Sequence, residues 1–161
     1  MTTIPTRDDT FREYAWDYFQ LHAEQRLKAF QFFITLATAI VGGFLLLFRY
    51  GQAHKWAAVL GVLLIFLSFV FWKLDLRTRG LVKNAEAALK YLDSAHDLPD
   101  IDGDPNPLRL FTRDDHETSK VSKLSLLSGH FSYSRCFEWV FAMFALLGAL
   151  GVFACLAFLP T

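Results

Sequence analysis

Arg109 and His116 are the residues whose types and spacing come nearest to chemistry. An arginine to hold a phosphate and, with six residues between, a histidine able to move a proton could together cleave an RNA backbone. Their setting argues against it. The pair lies in a stretch broken by Pro99, Gly103, Pro105 and Pro107, and the segment 73–135, with ten Lys/Arg and three His, supplies such a spacing by chance. Asp100, Asp102 and Asp104 place carboxylates at alternate positions, as at the start of a calcium loop. The glycine and the bidentate glutamate that such a loop needs further on are replaced here by Pro105 and Phe111, so a solvated acidic turn is the better reading. His22, His54, His96, His116 and His130 have no close Cys or His companions, and no glycine-rich phosphate loop or nucleophile elbow is present. No catalytic residue, metal or cofactor is assigned, and the chain does not read as an enzyme. Cys136 and Cys155, about 28 Å apart along a helix, cannot bridge each other.

The elements that would position any site are dominated by three apolar runs, 29–48, 56–72 and 139–159. At a helical rise of ~1.5 Å per residue they reach roughly 24–32 Å, the thickness of a bilayer's hydrocarbon core. Hydrophobic residues make up 53% of the chain, with 17 Phe, while all 16 Lys/Arg and 16 Asp/Glu fall outside the three runs. Stretches such as LLLF at 45–48 and VLLIFL at 62–67 are apolar on every face, and a chain this small has too little protein to cover three such helices in a soluble core. The expected fold is all-α: a polytopic membrane protein with three transmembrane helices and a helical cytoplasmic extension. The acidic and basic residues scattered through 1–28 are unlike a cleavable signal peptide, so the first run is expected to remain in the mature protein.

Orientation follows from Lys and Arg. The arm 1–28 holds four, the turn 49–55 two, the segment 73–138 ten, and the tail after 159 none. The positive-inside rule then puts the arm and the middle segment in the cytoplasm of an inner membrane and the C-terminus outside. Lys55-Trp56 and Trp72-Lys73 bracket the second run with interfacial anchors. Beyond Lys73, apolar residues recur at Leu76, Leu81, Val82, Ala85, Leu89 and Leu92, which predicts one helix from about 56 to 95 whose end projects as an amphipathic rod. Its expected partner is the arm, where Phe11, Tyr14, Ala15, Tyr18, Leu21 and His22 share one side; an interfacial helix lying on the membrane is the other reading of the arm. The segment 97–116 reads as a loop rich in Pro and Asp, followed by a short helix near 114–128.

Assembly is better marked than chemistry. Ala142, Ala145, Gly148, Gly151, Ala154 and Ala157 recur at every third position of the last run, and Thr35, Ala39 and Gly43 at every fourth of the first. Small residues let helices approach closely in lipid, so Thr35, Ala39, Gly43, Ala145, Gly148 and Gly151 are candidate packing positions, within one protomer or between protomers. Charges at the hydrocarbon edge need partners. Glu24 and Arg26 before the first run, and Asp75 and Arg77 after the second, form a candidate cytoplasmic charge collar if the two helices are antiparallel neighbours. Arg135 and Glu138, one turn apart, form a further candidate pair.

The segments 18–26 (YFQLHAEQR), 30–33 (FQFF), 71–78 (FWKLDLRT) and 133–137 (YSRCF) resemble those of a broad group of small bacterial membrane proteins. That group is similar to SLATT-type and CRISPR-associated membrane effectors of antiviral defence systems. The resemblance implies a homo-oligomer in contact with membrane lipid that perturbs membrane integrity or forms a gated pore. Two alternatives remain open: a passive anchor or scaffold recruiting a soluble cytoplasmic partner, and a HEPN-like RNA-cleaving protein using Arg109 and His116. Nucleic acid is not an expected partner on the first two readings.

Overall fold

The computed structural model describes residues 7–49, 54–95 and 133–157, and all of these are helical. They form α1 (Arg7–Arg49, 43 residues), α2 (His54–Ala95, 42 residues) and α3 (Tyr133–Ala157, 25 residues). Each contains a stretch long and apolar enough to cross a membrane, so the chain is a multi-pass membrane protein. The loop at 97–116, the helix predicted near 114–128, the acidic turn, and Arg109 with His116 lie outside the described residues.

α1 runs unbroken because no Gly or Pro interrupts the chain between Arg7 and Val41, and Asp8 and Asp9 in its first turn with Arg49 in its last complement the helix dipole. α2 runs on well past the end of its apolar run at Trp72. Along it runs a stripe of buried positions, Ala57, Gly61, Leu64, Ser68, Asp75, Ala85, Leu89 and Leu92, with Phe71, Thr78 and Val82 half-buried between them and Asp93 buried beside its end. The positions of the stripe alternate four and three apart, the spacing of a coiled-coil seam. α3 starts at Tyr133, so Arg135, Phe137 and Glu138 ride on the same helix as the apolar run that begins at Trp139.

The chain divides into two compact units. The hairpin unit comprises Met1–Glu24 and Thr78–Ser132. Within its described part, Ala15 on α1 and Ala85, Leu89 and Leu92 on α2 are buried, and Arg12 Nη1 meets Asp93 Oδ1 at 2.8 Å.

The span unit comprises Gln25–Arg77 and Tyr133–Thr161. Its core is Phe33 and Ala37 of α1, Leu64 of α2, and Phe137 and Phe141 of α3. Phe33 is fully enclosed, with Phe71, Phe141 and Phe144 around it at ring separations of 5.4, 4.8 and 5.5 Å. Lipid is as apolar as these side chains, so close packing and aromatic geometry hold the helices together rather than exclusion from water.

Glycines set the approach of the helices. A Cβ added to Gly148 would stand 2.7 Å from the Gly61 carbonyl oxygen, and one on Gly61 would stand 3.0 Å from that of Gly148, so α2 and α3 cross backbone to backbone there. Gly151 faces the Phe44 ring at 2.9 Å and Gly43 faces Leu60 Cδ1 at 3.3 Å. Two hydroxyls within the spans turn back on their own helices: Ser68 Oγ donates to the Leu64 carbonyl at 2.8 Å and Thr35 Oγ1 to that of Gln31 at 3.0 Å.

Candidate functional site: a buried charge clamp at the membrane edge

Arg26 lies just before the first apolar run, Asp75 just after the second and Ser134 just before the third, so three helices bring polar side chains to the same edge of the hydrocarbon. In the span unit these side chains converge. Arg26 Nε donates to Asp75 Oδ1 at 2.6 Å and Nη2 to Oδ2 at 3.0 Å, a two-pronged pairing of guanidinium with carboxylate. The same Nη2 donates to Ser134 Oγ at 3.1 Å, so one guanidinium ties all three helices. The Arg26 and Asp75 side chains are only 14% and 5% exposed.

An aromatic floor lies beneath the clamp. The Arg26 guanidinium carbon sits 5.0 Å from the centre of the Phe137 ring, which stacks on Phe30 at 3.9 Å with the rings nearly parallel. Phe30 in turn meets Phe141 edge-on at 5.9 Å. The clamp is thus continuous with the aromatic core of the spans. On the same edge, Lys73 Nζ lies 5.0 Å from the Trp72 ring and 5.8 Å from that of Phe69.

The arrangement can hold three helices in register, and a charge so enclosed resists separation. Taking one partner away leaves the other buried and uncompensated. The other candidate residues are placed as follows. Glu24, in the hairpin unit, accepts a hydrogen bond from Gln20 Nε2 at 3.3 Å, and Arg77 is exposed on α2. Arg135 and Glu138 line a shallow recess with Trp139 and Ala142. Gly148 and Gly151 pack on α2 and α1 respectively, Gly43 packs on α2, Ala145 is half-buried, and Thr35 and Ala39 face outward. Among the described residues, no group of three or more His, Cys, Asp and Glu is placed to hold a metal ion. Both cysteines are free thiols, Cys136 exposed and Cys155 buried.

Two members of this architecture escaped sequence reasoning. Ser134 is one of many hydroxyl residues beside a polar segment, and nothing in its neighbours marks it as a ligand of Arg26. Gly61 did leave a signal: Ala57, Gly61 and Ser68 are the small residues of α2's buried stripe within the apolar run, set at seam spacing.

Comparison with known proteins bears on the whole chain. No solved structure matches it. CD-NTase-associated protein 19 from Escherichia coli is 33% identical over 139 residues, which is 86% of this chain and 85% of that protein. The profile of the octameric membrane protein (8xMP) family matches residues 11–158, taking in the apolar stretches and the clamp residues of all three helices, and the chain belongs to that family.

Proposed function

We propose that this protein acts as a membrane effector of bacterial antiviral defence, an octamer that perturbs membrane integrity when triggered. The observation that carries the reading is the match to an octameric membrane protein family along almost the entire chain, 11–158. The match includes the arm as well as the spans, which supports an assembly that involves both. Likeness to a CD-NTase-associated protein supports work in association with a CD-NTase. The lysine and arginine bias supports an orientation with both polar segments in the cytoplasm and the C-terminus outside.

The spans support a pathway that is closed at rest. Gln31, Thr35, Thr38 and Ser68 are the polar residues within the first two apolar runs, and Thr35 and Ser68 satisfy their hydroxyls on their own backbones. A ring of such helices lines its axis with apolar side chains and excludes water until subunits move. The test is a membrane-potential dye in cells expressing the protein, alongside leakage of dye from vesicles containing it. Depolarisation and leakage by the wild type, both lost in a variant that no longer forms the oligomer, are expected. Intact potential and tight vesicles with a fully assembled octamer would sink the effector reading in favour of a passive scaffold.

A further inference from the structure

α1 carries two seams in the hairpin unit. One holds Arg12 and Ala15 and is used within the protomer, where Ala15 is buried and Arg12 pairs with Asp93. The other consists of Phe11, Tyr14, Tyr18 and Leu21, spaced three and four apart along an adjacent side. Its rings stand in a row, Phe11 to Tyr14 at 6.1 Å and Tyr14 to Tyr18 at 6.3 Å. Yet Phe11 is 50%, Tyr14 61% and Leu21 54% exposed. Tyr91 of α2, 73% exposed, flanks the same side, and together with Phe11, Tyr14 and Leu92 it lines an open groove of about 700 Å³. A helix that packs on one side within the protomer and carries an exposed aromatic seam on the adjacent side has a face left for a further helix.

We propose that this aromatic face is the surface on which a second copy of the chain docks, through its own hairpin unit. The proposal rests on the octameric reading and locates one of its interfaces. Each copy in a closed ring must present a face to the neighbour on either side, and a contiguous exposed patch of aromatic residues is the composition of an interface core. Phe11 stands 18 positions before the apolar run that begins at Ala29, so this face belongs to the part of α1 outside the spanning stretch. Tyr and Phe also contribute large contact areas with few rotatable bonds, the property that concentrates binding energy in such residues.

The experiment places the photoreactive analogue p-benzoylphenylalanine at position 14 or 91 of the full chain in bacterial membranes, with position 13 as the control. Glu13 is exposed on a different side of α1. Irradiation is expected to give a ladder of covalent species rising by one chain at a time from positions 14 and 91 and none from 13. Copies labelled with heavy isotope should appear in the cross-linked peptides. Adducts only to lipid, only to residues 96–132 of the same chain, or only to another protein would overturn the proposal, as would equal ladders from all three positions. The second measurement is particle mass by light scattering, corrected for detergent, for the double variant Tyr14→Ser/Tyr91→Ser. A lower mass with unchanged helicity is expected, and retention of the full oligomer counts against the interface. A monomeric wild type defeats this interface and the octameric reading together, whereas an intact oligomer without ladders from 14 and 91 defeats the interface alone.

Discussion

Asp75 holds its place by compensation. Its carboxylate is buried at the end of an apolar run and is matched by two donors from one guanidinium. Asp75→Asn keeps the shape but leaves Arg26 charged in a site that is 14% exposed, so a loss of about 3–5 kcal/mol is expected, the cost of stranding one member of a buried pair. Replacing both partners, in Arg26→Leu/Asp75→Leu, removes the stranded charge, and the double variant should melt above Asp75→Asn in a detergent thermal-shift assay. A double variant as unstable as the single one would mean that the pair contributes net stability of its own. The Arg12–Asp93 bridge is a contrast, since Arg12 is 40% exposed and solvent screens it. Asp93→Asn is expected to cost no more than about 1 kcal/mol in the same assay.

Helices show where sequence pattern suffices and where it stops. The extent of α1 and α2 was legible because Gly and Pro are absent from the right places and because apolar residues recur at Leu76, Val82, Ala85, Leu89 and Leu92 beyond the second run. The pairing of Arg26 with Asp75 was legible in part, since a charge at the hydrocarbon edge demands a partner, but Glu24 and Arg77 carried the same signal and only three-dimensional placement separates them. The partner of each small residue was not legible. Spacing marks Gly148 and Gly151 alike, yet the first meets backbone and the second a side chain. Gly148→Ala must therefore push α2 and α3 apart, while Gly151→Ala can be met by rotation of the Phe44 ring. Gly148→Ala should lower the melting temperature well below that of Gly151→Ala, and equal shifts would contradict the backbone crossing at Gly61. Gly80 lies inside α2 with open space around it, so Gly80→Ala should stabilise the helix by about 1 kcal/mol, read as a higher melting temperature.

For the whole molecule, the span unit presents most of its apolar surface outward: no more than 22% of the positions in any spanning stretch are buried within the protomer. That outward surface is what lipid and, in an oligomer, neighbouring copies can cover. Outward positions such as exposed Ala39, and Gly42 with nothing within 4 Å of an added Cβ, are where bulky substitution should change assembly without changing the protomer. Gly42→Leu is expected to leave the thermal melt of the isolated protomer in place, and native mass spectrometry would read any loss of higher oligomers. The charge clamp also carries a consequence for biosynthesis. Arg26 and Asp75 sit on α1 and α2, which follow each other closely in the chain, whereas Ser134 and the Phe137 ring arrive only with α3. The first two helices can neutralise their charges against each other as soon as both have emerged, and the third closes over a pair already made. Insertion thus has a natural order, with the Gly61–Gly148 crossing completed last.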